Sequence, residues 1–206
     1  VADLSPSTAY KAYLMVVDAL NNASSIAIFD ITTTASEFAG GDGSKENPYE
    51  VATAAQLNNV RKYLNQHFRQ TENIDLNVAP YNQETGWEPI GISGNPFAGT
   101  YDGNGFTISN LFIDLQAKNE NYVGLFGYAD HAYIRNVRLL DVNVTGQYQV
   151  GGLAGEIGSD GAVTSCYATG QVAGDEDVGG LVGLNQGTIT GCYASATVNG
   201  KWGYVG

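Results

Sequence analysis

Apolar residues return along the C-terminal part of the chain at an interval too long for one helix or strand. The Tyr/Val-Gly-Gly-Leu type phrase at residues 122–127 recurs at 150–155 and 178–183, and begins again at 204–206. The successive offsets are 28, 28 and 26 residues. A repeat of this length predicts a solenoid, in which each coil buries its apolar side only by stacking on its neighbours.

Each coil contains a second apolar phrase with the same interval. It occupies residues 134–137 and recurs at 163–166 and 189–192, with an earlier copy at 108–111. These runs are rich in Val, Ile, Thr and Tyr and lack a 3.6-residue apolar period, which favours strands over helices. Residues 95–206 are therefore predicted to form a short right-handed parallel β-helix of two or three short strands per coil, in a mainly β protein.

The first 38 residues are predicted to form a separate helix-and-strand arm or cap. Pro6 would occupy the first helical position, and Asn21-Asn22 would end the helix. Residues 25–34 alternate apolar and polar positions as a strand does. This segment either shields the first coil or docks on a neighbouring subunit. The predicted helical face holds Tyr10, Tyr13, Leu14, Val17 and Leu20.

Residues 39–94 are predicted to form an α/β cap that leads into the solenoid. A turn-rich stretch at 39–48 precedes a short strand and a helix that begins at Thr53. Residues 66–78 follow as a strand with Phe68, Ile74 and Leu76 pointing inward.

The charge of the chain excludes two classes of partner. The formal net charge is −12, from 21 acidic against nine basic residues, which disfavours nucleic acid and anionic membrane as partners. No stretch approaches the length of a membrane span, and no signal peptide is recognised. An acidic surface fits an extracellular or cell-surface location.

The sequence leaves the roles of its two cysteines and of one possible calcium-binding turn open. Cys166 and Cys192 occupy the same place in successive coils. They form either a disulfide, or a pair of metal ligands, or a ladder of inward thiols. The ladder is favoured because cysteine is commonly buried and two ligands alone do not make a zinc site. The turn at Asp102, Asn104 and their glycines is a calcium candidate or an ordinary turn, and the ordinary turn is favoured. No cofactor is predicted.

Tyrosines offer the best candidate for a ligand surface. Tyr167 and Tyr193 each follow a cysteine, so they should point outward and stack in adjacent coils. The aromatic face is either a stabilising ladder or a platform for glycans or for another protein. Its predicted members are Tyr122, Tyr128, Tyr133, Tyr148, Tyr167, Tyr193, Trp202 and Tyr204.

No catalytic pattern accompanies these features, so the chain is predicted not to be an enzyme. It has no zinc-protease helix, nucleophile elbow or phosphate loop. His67 and His131 lack the spacing of a sequence-encoded metal motif. Arg138 and Asp141 are either a catalytic pair on one exterior face or a solvated surface pair, and the surface pair is the favoured interpretation.

The combined pattern resembles the GLUG-repeat proteins. It runs from Asn47-Pro48-Tyr49 through residues 54–57, 73–76, 87–91 and 97–105 to the three glycine-rich phrases. This resemblance covers residues 40–206 and implies bacterial or archaeal surface proteins, including adhesins and the non-catalytic N-terminal regions of immunoglobulin A proteases. It supplies no catalytic residue.

Together these observations predict a non-catalytic structural or adhesive protein outside the cell. Residues 204–206 start a repeat without a polar terminal coil, and an open strand edge is a template for pairing. Either further repeats follow, or the open end meets the N-terminal arm of another copy and builds a head-to-tail filament. The alternatives are a carbohydrate-binding module that uses surface glycans and a polysaccharide-active enzyme. The candidate assembly or ligand residues are Tyr10, Tyr13, Leu14, Tyr167, Tyr193, Trp202 and Tyr204.

Overall fold

The chain divides into two compact units, and each is described by itself. A computed structural model describes residues 9–32, 36–118 and 120–206. The first unit is Val1–Glu37 and the second is Phe38–Gly206. Among the described residues, no helix is long and apolar enough to cross a membrane.

The first unit contains a β-hairpin where the sequence predicted a helix. Strand β1 (Ala9–Leu14) pairs antiparallel with β2 (Ala27–Thr32), and a further bridge joins Val17 to Ala23. The predicted helix over residues 7–20 is therefore wrong from residue 9 onward, and the predicted strand over 25–34 is confirmed over the span of β2; residues 7–8 and 33–34 lie outside the described residues.

Local chemistry at the tip of the hairpin explains this correction. The Asp18 carboxylate accepts the backbone N–H groups of Leu20 and Asn22 at 2.8 and 2.9 Å, and Asn21 has a positive φ of 66°. Aspartate and asparagine favour such turns because their short side chains bond the nearby backbone. The apolar residues of β1 satisfy both a helical and an alternating pattern, so pairing with β2 decided between them.

The second unit is built almost wholly from short strands. Its single α-helix, α1 (Ala54–Asn59), begins after Thr53, whose hydroxyl accepts the Gln56 N–H as an N-cap, and 3-10 turns lie at Val60–Lys62 and Gln116–Lys118. The helix predicted to begin at Thr53 is confirmed. The strands are β3 (Tyr49–Val51), β4 (His67–Gln70), β5 (Ile74–Asp75), β6 (Thr100–Asp102), β7 (Thr107–Ser109), β8 (Phe112–Asp114), β9 (Asn121–Val123), β10 (Phe126–Ala129), β11 (Tyr133–Arg135), β12 (Arg138–Thr145), β13 (Tyr148–Gly151), β14 (Ala154–Ile157), β15 (Ala162–Thr164), β16 (Tyr167–Gly179), β17 (Val182–Asn185), β18 (Thr188–Thr190) and β19 (Tyr193–Val205).

These strands stack into three parallel sheets that form the faces of a β-solenoid of about four turns, which confirms the predicted fold class. One sheet has three strands in the order β10-β14-β17, and a second has six in the order β18-β15-β11-β6-β4-β3. The third has eight strands, with β5-β7-β12-β16-β13-β9 as its main path, β8 on β12 and β19 on β16.

The sequence repeat and the structural register coincide. Val123 pairs with Val150, Val150 with Val178, and Val178 with Val205, so the same phrase lies directly above itself in each coil. Ile134, Val163 and Ile189 form a second such column. The offsets in the valine column are 27, 28 and 27 residues, so one turn of the solenoid takes about 28 residues, and Val123 and Val205 stack where the sequence alignment placed Tyr122 and Tyr204.

The core side chains become smaller from the N-terminal to the C-terminal end of the solenoid. Near its N-terminal end it contains large side chains, among them Trp87, Tyr101 and Phe97, all almost wholly buried. Phe68, Ile74 and Leu76 are buried too, as predicted. In later coils Val, Ala and Leu occupy the corresponding space, so the cross-section is filled by small residues that repeat from coil to coil.

One corner of the solenoid is made by residues in the left-handed conformation. Asn136, Ser165 and Gly191 occupy equivalent positions with φ of 53°, 54° and 63°. The N–H groups of Asn136 and Ser165 each donate to the next coil, to Thr164 and Thr190 carbonyls at 3.0 Å. Asparagine and glycine tolerate this conformation at low cost, which allows the chain to turn sharply from the six-strand to the eight-strand sheet.

Candidate functional site

The last coil of the solenoid, residues 180–206, exposes positions that earlier coils bury; we call it the terminal coil. Val205 is 48% exposed, whereas its stacking partner Val178 is 1% exposed. Trp202 and Tyr204, both predicted as candidate residues, are 69% and 84% exposed. The terminal coil thus presents apolar surface of the kind that elsewhere forms the core.

The backbone of the terminal coil is open as well. Strand β19 is 13 residues long and pairs with β16 along one edge, and no other described strand pairs with it. A long edge strand presents a row of unpaired N–H and C=O groups, which is a template for another strand. The geometry therefore permits growth of the sheet at this end.

The hairpin of the first unit is the second apolar surface. Tyr13 and Leu14, two further candidate residues, are both more than half exposed, whereas the side chain of Tyr10 lies outside the described residues. A two-stranded hairpin by itself is marginally stable in water because it buries little. The other exposed apolar residues of this unit are Met15, Val16, Val17, Leu20, Ile26, Ile28 and Phe29.

Tyr167 and Tyr193 stack on each other, as predicted. Their ring centroids are 5.1 Å apart and their planes differ by 8°. Two of the other predicted members do not share a face with them, because Tyr128 lies in the three-strand sheet and Tyr133 in the six-strand sheet. The single aromatic face expected from the sequence is therefore wrong as a continuous surface.

The cysteines form a thiol ladder. Both are free, and Cys166 is buried. The Val137 N–H donates to the Cys166 sulfur at 3.4 Å, and the Cys166 N–H donates to the Cys192 sulfur at 3.3 Å, so the sulfurs join successive coils. Burial raises the pKa of the Cys166 thiol to about 12, which makes it an inert structural group.

The calcium candidate at Asp102 already has protein partners. Its Oδ2 atom accepts Arg135 at 2.9 Å, while Oδ1 accepts the Asn136 amide and the Asn104 N–H, each at 2.9 Å. These bonds use the oxygens that a cation would need. The interpretation as an ordinary turn is the one this geometry favours.

The structure brings together a group that sequence spacing missed. His131 lies between two carboxylates of successive coils, with Nδ1 3.2 Å from Asp130 and Nε2 3.3 Å from Asp160. These three residues could supply one metal-ligand atom each. Asp160 is distant in sequence and comes close only because one coil stacks on the next, so no local motif could have revealed it.

Glu156 is a buried carboxyl within the three-strand sheet. Burial raises its pKa, and the nearby Asp130 and Asp177 carboxylates add to this effect. The Gln186 amide donates to Glu156 Oε1 at 3.0 Å. A carboxyl with a raised pKa can act as a proton donor, but Glu156 is not among the residues that line the pocket beside α1 or the groove on the six-strand sheet.

A groove of about 700 Å³ lies on the outer face of the six-strand sheet. It is lined by strands β4, β6 and β11 and by the loop before β3. Both histidines of the chain, His67 and His131, contribute to its wall. The sequence marks Asp102 as a calcium candidate and Tyr133 as a member of an aromatic face, but it does not predict this groove, because its residues come from four separate segments.

Comparison with known proteins agrees with this architecture. The GLUG motif model matches residues 146–173 and 174–199. A protein of Evansella cellulosilytica described as a Gly-rich membrane protein is 45% identical over 116 residues, and Halomucin of Haloquadratum walsbyi is 37% identical over 169 residues. These alignments cover 55% and 77% of this chain but 13% and 2% of the relatives.

A solved structure shares the fold. It is the crystal structure of a Bacteroides ovatus protein titled as an immunoglobulin A1 protease, with a TM-score of 0.63 and 26% sequence identity. The match covers 78% of this chain and 50% of that one. The chain thus corresponds to part of each of these larger proteins.

Proposed function

Because this chain is a GLUG-repeat protein, we propose that it is a non-catalytic structural or adhesive segment of an extracellular or cell-surface protein. The membrane-protein description of one relative and the name of the other support a surface location. The two GLUG-motif matches and the names of the two relatives support a non-catalytic role.

We further propose that copies of the chain associate head to tail. The observation that carries this proposal is the terminal coil, where Val205 is exposed at a position that Val178 buries, on a strand with a free backbone edge. Burial of such surface is the main driving force of association. Pairing at the edge would also satisfy the exposed N–H and C=O groups of β19.

The occupant we propose is the hairpin of a second copy. Its exposed residues, such as Leu14 and Phe29, would be buried against the terminal coil, and its strands have free edges that can extend a sheet. Such a contact joins two different surfaces, so a pair of associated copies still has one free hairpin and one free terminal coil. Repetition of the contact builds a filament instead of a closed dimer.

Light scattering and electron microscopy of the full chain, compared with a version that lacks residues 1–37, test this proposal. We expect long particles from the full chain and single subunits from the truncated one. Ile189→Lys, which places a charge on the exposed terminal coil, should shorten the particles, whereas Ile92→Lys, a matched exposed position elsewhere, should not. A full chain that remains monomeric at high concentration would refute the head-to-tail contact.

A second candidate is glycan binding by Tyr167 and Tyr193. The rings stack face to face at 5.1 Å, so each already covers one face of the other. This arrangement supports a stabilising ladder better than a sugar platform, which needs an open ring face. Glycan binding that disappears in the double variant Tyr167→Ala and Tyr193→Ala would favour the second candidate.

A further inference from the structure

The groove on the six-strand sheet concentrates positive charge on an acidic protein. Lys45, Arg69 and Arg135 line it, which is three of the nine basic residues of a chain with a net charge of −12. His67 and His131 line the same groove. Its lining holds three basic side chains against two acidic ones, Glu46 and Asp102, so on a chain of net charge −12 this groove is a favourable place for an anionic ligand.

Strand register arranges these charges in a row. Glu50, Arg69, Asp102 and Arg135 occupy paired positions on β3, β4, β6 and β11, so acidic and basic side chains alternate from strand to strand. Neighbouring strands are about 4.8 Å apart. The row therefore follows the solenoid axis and suits a linear ligand that lies across the strands.

Several donors in the groove retain hydrogen-bonding capacity. Among the described residues, the Lys45 ammonium and the His67 ring make no hydrogen bond or ion pair. Arg69 makes a long 3.5 Å contact to Glu50, which leaves most of its five N–H donors available. Arg135 is more firmly held by Asp102 at 2.9 Å and is 55% exposed.

His131 and Tyr133 shape one wall of the groove. Asp130 and Asp160 hold the His131 ring from both sides, at 3.2 and 3.3 Å. The Tyr133 side chain is 60% exposed and belongs to the groove lining. An exposed aromatic ring in a polar groove offers an apolar face on which a sugar ring can stack.

We propose that this groove binds an acidic saccharide, a linear glycan that carries carboxylate or sulfate groups. The basic residues would pair with its anionic groups through charge-assisted hydrogen bonds. Glu46, which also lines the groove, would repel a ligand of uniform negative charge but accept hydrogen bonds from hydroxyl groups, whereas the oxygens of Asp102 already accept from Arg135, Asn136 and Asn104. A ligand that alternates anionic groups with hydroxyls satisfies both requirements.

An acidic peptide fits this surface less well. The groove lies on the face of the sheet, where the backbone groups of β4, β6 and β11 already pair with neighbouring strands. A peptide could not add a strand there, so it would lose the main-chain hydrogen bonds that usually supply its affinity.

Titration calorimetry with the full chain tests the proposal, with four defined probes. Oligogalacturonate carries carboxylates, heparin-derived oligosaccharide carries sulfates, maltooligosaccharide is neutral, and polyglutamate is an acidic peptide. We expect saturable binding of one or both acidic saccharides, weakened by added salt, which screens charge over about 8 Å at physiological ionic strength. Which of the two binds identifies the anionic group.

Variants locate the binding to the groove. Lys45→Ala with Arg69→Gln should weaken binding about tenfold or more, since charge-assisted hydrogen bonds are the stronger kind. Tyr133→Ala should weaken it less. Arg138→Gln removes an exposed cation from β12, outside the groove, and should leave binding unchanged.

Three outcomes would overturn the proposal: equal binding of neutral and acidic saccharides, binding of polyglutamate alone, or no saturable binding of either acidic saccharide. Binding that survives the Lys45 and Arg69 changes would also overturn it. Circular dichroism should show that each variant keeps the strand content of the parent. The groove proposal does not depend on filament formation, because its residues lie within coils away from the terminal coil.

Discussion

Strands β16 and β19 are two copies of one structural unit in different surroundings. Each is 13 residues long, and their inward positions match: Ala168 pairs with Ala194, and Val172 with Val198. In β16 these residues are almost wholly buried, whereas β19 is exposed along most of its length. The difference lies in the neighbours, since β16 has a coil on both sides and β19 on one.

This contrast shows that the apolar pattern of a strand determines which side chains point inward, but not how much of each side chain is buried. In a solenoid each coil contacts only the coils beside it, so stability is a sum of intrinsic and nearest-neighbour terms. An identical side chain therefore stabilises an interior coil more than a terminal one. Three tests, in order of expected effect, can break or sharpen this comparison.

The largest effect is expected from Gly155→Ala, in an interior coil. A methyl group at Gly155 would lie 2.4 Å from backbone atoms of Tyr122, because neighbouring segments of the chain pack there without space for a side chain. Overpacking against backbone should cost about 3 kcal/mol in the free energy of unfolding. Chemical denaturation of parent and variant measures it.

Gly94→Ala is the control for this change. A methyl group at Gly94 meets nothing within 4 Å, so its effect should stay within about 0.5 kcal/mol. Equal midpoints for the two variants would mean that the interior coils are not packed as closely as the structure shows.

An intermediate effect is expected from the matched pair Val172→Ala and Val198→Ala. Removal of two buried methyl groups at Val172 should cost about 2 kcal/mol, from lost burial and the cavity that remains. Val198 is only partly buried, so the same change should cost less than about 1 kcal/mol in the monomer. Denaturant titration of both variants at low protein concentration gives the difference.

This pair also tests what covers the terminal coil. If copies associate through it, the cost of Val198→Ala should rise with protein concentration, because stability is then coupled to assembly. Equal costs at the lowest concentration would contradict the comparison between interior and terminal coils.

The smallest effect is expected from Glu156→Gln, at a position where the terminal coil has Leu184 instead. Burial raises the pKa of Glu156 above its ordinary value of 4.5. The folded state thus retains a proton that the unfolded state has lost, so the contribution of Glu156 to stability declines as pH rises from 4.5 through the raised pKa. The variant should lack this decline and gain a few degrees in Tm near neutral pH.

Thermal melts of both proteins between pH 4 and pH 8 provide the measurement. The difference in Tm should be small at pH 4, where the parent carboxyl is protonated in both states, and should grow with pH before it levels off. A difference that is independent of pH would show that the Glu156 charge is not buried against Asp130 and Asp177.

The repeat made the solenoid predictable from sequence. The column of Phe126, Ala154 and Val182 follows directly from the 28-residue interval, and the stack of Tyr167 on Tyr193 follows from the equivalent places of Cys166 and Cys192. Both depend on a residue and its copy one turn later, which a single sequence displays.

The hairpin was not predictable in the same way. Residues 9–14 contain apolar positions at spacings that suit either a helix or a strand, and no second copy of this segment decides between them. Asp18 and Asn21 were the available signal, because both favour a tight connection between two strands.

The sequence by itself determined the coil length, the inward and outward positions and the acidic character of this protein, because these follow from periodicity and composition. Only the tertiary structure decided which residues from distant segments meet. It placed Asp160 beside His131 and assembled Lys45, Arg69 and Arg135 into one groove. These features depend on the register and number of stacked coils, which are properties of the folded chain and not of any local pattern.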